Sequence, residues 1–179
     1  MSNSSKLIVL GVTGGIAAYK AADLCSKLAK ETEVQVIMTE NACKFVTPLT
    51  FRTLSRRPVV VSLWDDESQW RPRHVDLASE ASLFVVAPAT ANFIAKSAHG
   101  IADDALSTFC AAYNGKSIYA PAMNPQMWMH QACQENIAIL KQRGVIFAGP
   151  ECGHVACGAD GRGRMAEAAE ILRVIHEEY

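Results

Sequence analysis

Four polar clusters in this 179-residue chain carry residue types suited to holding an anion or moving a proton. The first, Gly11-Val-Thr-Gly-Gly-Ile16, closes an apolar run. Glycines there let backbone N–H groups approach an anion at a helix N-terminus, where the helix dipole favours negative charge. The string is neither GxGxxG nor a P-loop, because no Gly-Lys-Ser/Thr follows, so it also reads as a plain strand-to-helix turn. The second, Ala87-Pro-Ala-Thr-Ala-Asn92, stands at another strand-to-helix hand-over, where Thr90 or Asn92 would cap the helix or line a crevice shared with the first turn. The third, Pro121-Ala-Met-Asn-Pro-Gln-Met-Trp128, sets the Asn124 amide at the same edge, as a cap or as a donor to a ligand. Met127 and Trp128, one turn on, read as core or as a pocket wall.

The fourth cluster runs from Cys152 to Met165 and holds Cys152, Cys157, Arg162 and Arg164 among glycines. Four residues separate the two cysteines and no second pair exists elsewhere, which argues against a structural zinc site. Positive charge from Arg162 and Arg164 would favour a thiolate at Cys157 or hold an anionic substrate. Gly158, Gly161 and Gly163 suit a flap that closes over a ligand. Histidines are less informative: His74, in Arg73-His-Val-Asp-Leu77, has no local spacing that makes it catalytic, and His99, His130, His154 and His176 have no better claim.

These clusters need elements to bring them together. Lys6 to Val12, Val34 to Met38, Leu83 to Ala87, Ser117 to Ala120 and Val145 to Ala148 read as strands. Between them lie segments of helical period: Ala21, Leu24, Cys25 and Leu28 share one face, and Ala91–Ala98 and Asp103–Tyr113 follow the third strand. A stretch from Ala42 to Ser55 should bend or break at Pro48. The longest helix is expected from just after Asn124, a favoured N-cap with Pro125 at the first position, to about Arg143, with Cys133, Ile137 and Leu140 buried and Gly144 as the stop. Ala168, Ile171, Leu172 and Ile175 stripe a closing helix. Val59–Val61 is a short apolar run, Leu63 to Arg73 reads as an exposed loop, and Gly149 to Met165 as a functional loop without periodicity. This alternation predicts βαβ units in one α/β domain, a mainly parallel sheet with helices on both faces.

Composition narrows the partners. Seventeen basic against eighteen acidic side chains give a net charge of −1, with no cationic excess for nucleic acid or an anionic membrane, so any partner is recognised by a local site. No apolar run approaches the roughly 18 residues that span a bilayer. Residues 1–5 lack the basic start of a secretory signal and read as a disordered tail, and the six cysteines are spread singly. A reducing cytoplasm with free thiols is the expectation.

Taken in order, Gly11-Val-Thr-Gly-Gly-Ile-Ala-Ala-Tyr-Lys20, His74, Ala87-Pro-Ala-Thr-Ala-Asn92, Gly100-Ile-Ala-Asp-Asp104 with Ser107-Thr108, Pro121-Ala-Met-Asn124, and Ala156-Cys-Gly158 with Gly163-Arg-Met165 resemble the homo-oligomeric flavin-containing cysteine decarboxylases. The similarity runs from about Lys6 to Met165. It implies a flavodoxin-like Rossmann-type fold, FMN held noncovalently near a subunit interface, and a homotrimer or a trimer-based homododecamer. On matching positions it implies FMN contacts from Thr13, Gly14, Gly15, Thr39, Phe45, Thr90, Ala91, Asn92, Thr108, Ala122 and Met123. His74, Asn124 and Cys157 would be catalytic: an active-site histidine, the residue that binds the substrate carboxylate, and the proton donor on a flap over residues 149–165. Asn124, Met127, Arg164 and Met165 would bind substrate.

The implied activity is decarboxylation of 4′-phosphopantothenoyl-cysteine to 4′-phosphopantetheine in coenzyme A biosynthesis. A cysteine carboxylate has no electron sink, so its thiol carbon is first oxidised toward a thioaldehyde; loss of carbon dioxide then gives an ene-thiolate, which takes back hydride and a proton. Cys157 suits the last proton transfer. A peptide-modifying branch of the family stops at the oxidised ene-thiol and lacks this cysteine. Two alternatives stand beside it: an oxidative peptidyl-cysteine decarboxylase, and a regulatory flavoprotein like those relatives that inhibit a phosphatase, which carry acidic tails where this chain ends in Glu177-Glu178-Tyr179. In many bacteria a similar domain is the first half of a protein that also makes the cysteine adduct; with the chain ending at Tyr179, that activity is expected to be absent or supplied by another polypeptide. The Trp64 to Trp70 loop and Cys152 fall outside the shared motifs.

Overall fold

A computed structural model describes residues 7–64, 73–154, 158 and 160–179. The segment β1 (Leu7–Val12) is buried at every position, because it is an interior strand of a sheet covered on both faces. It leads through the first glycine-rich turn into α1 (Ala18–Leu28), β2 (Glu33–Met38), a single 3₁₀ turn over Ala42–Lys44, and α2 (Pro48–Ser55). The expected break at Pro48 is there, and the proline takes the first position of α2, where its missing N–H costs nothing. Val60 makes an isolated bridge to Ile37. Leu63 and Trp64 are exposed, and the rest of the predicted loop up to Pro72 lies outside the described residues.

The chain continues as α3 (Arg73–Glu80), β3 (Ala81–Ala89), α4 (Ala91–His99), α5 (Ala105–Ala112) and β4 (Ser117–Pro121). Here one expectation fails. The helix expected to run unbroken from Asn124 to Arg143 is two helices, α6 (Pro125–Met129) and α7 (Gln131–Gln142). His130 adopts ψ 132°, and its Nδ1 accepts the Ala132 N–H at 3.3 Å, so this side chain caps a new helix instead of continuing the old one.

After β5 (Ile146–Phe147), the glycine-rich segment differs from the predicted structureless loop. It holds an antiparallel pair, β6 (Glu151–His154) and β7 (Asp160–Arg164), so Val145–Ala148 is not the last strand. Finally α8 (Ala168–Glu178) closes the domain. The five parallel strands run in the order β2-β1-β3-β4-β5, the flavodoxin-like arrangement with its reversal of winding between β1 and β3.

Alternation along β1 builds two cores. Ile8, Leu10 and Val12 face α1, α2 and α8 through Leu24, Phe51 and Ile171, while Leu7 and Val9 face the other layer with Phe93, Phe109 and Ile137. Phe84 anchors the second layer in edge-to-face contacts, 5.0 Å from Phe109 and 6.4 Å from Phe93. Among the described residues no helix is long and apolar enough to cross a membrane.

Candidate functional site

All five parallel strands point their carboxyl ends to one edge, so the turns after β1, β2, β3 and β4 meet there. Thr13 ties the first to the third. Its buried hydroxyl donates to the Pro88 carbonyl at 2.6 Å and accepts the Thr90 N–H at 3.1 Å. That oxygen thereby both donates and accepts within the protein, and Thr13 sets the spacing of the two turns. Thr39, after β2, accepts the Ala42 N–H at 3.2 Å and so orders the 3₁₀ turn that carries Asn41. Asn41 presses on Gly14: a Cβ built on Gly14 would lie 2.4 Å from Asn41 Cβ, a distance only glycine permits.

Helix starts supply the donors. Thr90 caps α4 by accepting the Phe93 N–H, which leaves the Ala91 and Asn92 amides without an acceptor among the described residues. At the head of α1 no side chain caps the helix, and the Gly14, Ile16 and Ala17 amides are likewise unpaired. Two helix N-termini with open N–H groups, side by side at a topological switch point, make an anion-binding edge.

Two clefts open on this edge. One, of about 350 Å³, is lined by Thr13, Gly14, Thr39, Asn92 and, at its far end, Lys96 with Asp103 and Asp104. The other, of about 830 Å³, is lined by Gly15, Lys20, Ala122, Met123, Asn124, Arg164 and Met165, among others. Asn124 lines this cleft and caps α6 through its Oδ1, which accepts the Gln126 N–H at 2.8 Å. Across the cleft, the Arg164 guanidinium binds Glu151 at 2.7 Å, which holds it above its ordinary pKa. Its Nε is buried with no acceptor among the described residues.

The predicted site residues thus divide. Thr13, Gly14, Gly15, Thr39, Thr90, Ala91, Asn92, Ala122, Met123, Asn124, Arg164 and Met165 are gathered at the edge. Met127 is half exposed and lines a separate apolar groove of about 450 Å³ with Ala91, Ala95 and Cys133, while Trp128 is core. His74, on the first turn of α3, Phe45, exposed after the 3₁₀ turn, and Thr108, whose hydroxyl donates to Ala102 O, line neither cleft within one chain. Cys157 lies outside the described residues.

Some lining residues went unassigned from sequence. Lys20 sits in the larger cleft and pairs with Glu167 at 2.6 Å, which draws that carboxylate below its ordinary range. Its spacing of three and four from Ala17 and Ile16 was the available signal. Lys96 bridges Asp103 at 2.6 Å and Asp104 at 2.8 Å. Burial alone would lower its pKa, but the two carboxylates together hold it above the ordinary value. No local pattern announces that triad, because it depends on how α4 and α5 pack.

A doubly wound sheet of flavodoxin-like order with open helix N-termini at the switch point defines a class of ligand-binding α/β proteins that grip an anionic group by backbone amides. Within that class the chain belongs to the Flavoprotein family, whose profile matches residues 1–179. It is 44% identical over 180 residues to the coenzyme A biosynthesis bifunctional protein CoaBC of Haemophilus influenzae and 44% identical over 177 residues to that of Bacillus subtilis. Those alignments cover 100% and 98% of this chain but 45% and 44% of the relatives, so the chain spans less than half their length. Among solved structures it is similar to a cysteine-to-serine mutant of PPC decarboxylase complexed with pantothenoylaminoethenethiol (TM-score 0.85, 26% identity, 97% of both chains). It is also similar to the FMN binding protein AtHal3 (TM-score 0.85, 28% identity, 97% of this chain and 96% of that one).

Proposed function

We propose that this protein is an FMN-dependent carboxy-lyase that converts 4′-phosphopantothenoyl-cysteine to 4′-phosphopantetheine, the decarboxylation step of coenzyme A biosynthesis. The observation that carries the reading is the juxtaposition at one sheet edge of an amide-lined turn pair and a cleft holding Asn124, Arg164 and Met165. Similarity over the whole chain to coenzyme A biosynthesis proteins, and in fold to a PPC decarboxylase, supports it.

The residues present fit FMN. Gly15 has its nearest neighbour 3.6 Å from where a Cβ would stand, so the turn is open toward the cleft, and the unpaired amides of α1 and α4 suit a phosphate. Gly14, Gly15, Thr39, the Thr90-Ala91-Asn92 turn and the Ala122-Met123 pair would hold it. When bound, FMN supplies a two-electron acceptor and donor for the thiol carbon. Asn124 Nδ2 donates to the substrate carboxylate and Arg164 adds positive charge, which fixes the bond to be broken inside the cleft. Cys157 gives the proton that completes the saturated aminoethanethiol.

His74 and Thr108 lie on the neighbouring helices α3 and α5 and line neither cleft of their own chain. We read that pair as the face that meets the cleft of a second copy in a homotrimer or a trimer-based dodecamer. The exposed Val75 beside His74 and the apolar groove at Met127 support an assembly in which such surfaces are covered.

The test is a flavin absorbance spectrum of the purified protein, then carbon dioxide release from the phosphorylated substrate. Under anaerobic turnover Cys157→Ser is expected to accumulate the ene-thiol. Saturated product at the normal rate from that variant overturns the proton-donor role. Turnover of cysteine-terminated peptides with loss of carbon dioxide and two hydrogens would favour the peptide-modifying alternative instead.

A further inference from the structure

We propose that the Gly161-Arg162-Gly163 run of β7 is a clasp that sets the position of Asn124, with Arg162 a positioning residue that acts through Trp128. Three contacts bracket the turn that bears Asn124. The Met123 N–H donates to the Gly163 carbonyl at 3.0 Å. Pro125 lies against Gly161, where a built Cβ would come within 2.9 Å of its ring. The Arg162 guanidinium stands over the Trp128 ring, 5.8 Å from its centroid, with its Nε donating to the Pro150 carbonyl at 3.2 Å.

Trp128 returns this grip to the site. Its ring is core, 8% exposed, and its backbone N–H donates to the Asn124 carbonyl at 2.9 Å, closing the single turn of α6. Pulling on Trp128 therefore moves the residue that meets the substrate carboxylate. The two glycines are required for the fit. A Cβ at position 163 would sit 2.3 Å from the Met123 carbonyl oxygen, so any side chain there forces β7 and the Asn124 turn apart. The segment read from sequence as a flap is thus, on its β7 side, a mould for the substrate-binding turn.

The role of Asn124 in this proposal rests on the decarboxylase reading; the clasp itself does not. Arg162→Gln, Arg162→Lys and Gly163→Ala, each as flavin-loaded full-length protein, would be compared by steady-state kinetics with 4′-phosphopantothenoyl-cysteine and by hydrogen exchange at the Met123 amide. An exposed cation–π contact is worth a factor of about two to five. Arg162→Gln is expected to raise KM by that factor with kcat changed less, to speed Met123 exchange similarly, and Arg162→Lys to recover part of both. Gly163→Ala is expected to abolish the protection of Met123 and raise KM further. If Gly163→Ala does not fold, Arg162→Gln decides alone. Unchanged exchange and unchanged KM in Arg162→Gln overturn the clasp, as does a fall in kcat at constant KM. A wild-type protein that binds flavin but turns over nothing sinks the decarboxylase reading, while exchange at Met123 still tests the clasp.

Discussion

Cys25 and Cys152 show how position decides what a thiol can do. Cys25 is fully buried on the inner face of α1, and burial pushes its pKa up to about 12, because a thiolate there would lose its water without gaining a partner. Burial also raises Cys133. Cys152, by contrast, is exposed on β6. Alkylation of the native protein at neutral pH should therefore label Cys152 quickly and leave Cys25 and Cys133 unmodified until denaturant is added, as peptide mass mapping will show. Rapid labelling of Cys25 under native conditions would contradict its placement in the core. At the same scale, the position of Asn124 as a helix cap at the sheet edge was readable because a strand end followed by Asn-Pro marks a helix start. What was not readable is that Thr13 also bonds internally: its hydroxyl reaches residues 75 and 77 positions away. Only tertiary proximity reveals that a threonine lining the smaller cleft also spaces the two turns.

Elements were legible where burial is one-sided or complete. Continuous apolar runs marked β1 to β4, and the i, i+3, i+4 stripes marked α1, α7 and α8, since those patterns are the direct imprint of a covered sheet. The β6–β7 pair escaped because its glycines have no side chains to alternate, and those glycines are there to admit Met123 and Pro125. The break at His130 escaped because histidine is an unusual cap. Another element boundary carries a testable electrostatic term. Asp104 caps α5 through Ser107 N–H at 2.8 Å and pairs with Lys96; burial opposes its charge, but these partners hold its pKa below the usual carboxylate value. A depressed carboxylate contributes stability that is present above its unfolded pKa of about 4 and lost as pH falls through the folded value. Asp104→Asn keeps a capping side chain and removes the charge, so it should cost about 1 kcal/mol at neutral pH. In urea titrations the gap from wild type should close as pH drops below about 4. A gap that stays constant down to acid pH would mean the cap alone, not the ion pair, sets the loss.

At the scale of the whole molecule, neither His74 nor Thr108 lines either of the two clefts of one chain. His74 and Thr108 lie on the α3–α5 layer, while Asn124 and Arg164 line a cleft at the carboxyl edge of the sheet. If each active site combines the cleft of one copy with His74 of the next, damage to the two halves is complementable. His74→Asn subunits would have intact clefts, and Asn124→Asp subunits would have intact histidines. Either variant alone leaves every site defective. Co-expressed in equal amounts in a closed ring, a cleft with Asn124 faces a subunit with His74 in about a quarter of the sites. Activity of the mixed preparation should therefore approach about a quarter of wild type, with the molar mass by light scattering a multiple of three chains. A mixture no more active than its better component would place His74 and Asn124 in the same copy, and a monomeric mass would remove the shared site altogether. The same preparation separates positioning from assembly, because adding Arg162→Gln to the His74→Asn chain weakens only the clefts that remain intact. Its effect should appear in the KM of the mixed enzyme, whereas the same change on the Asn124→Asp chain, whose cleft is already disabled, should leave that KM where it was.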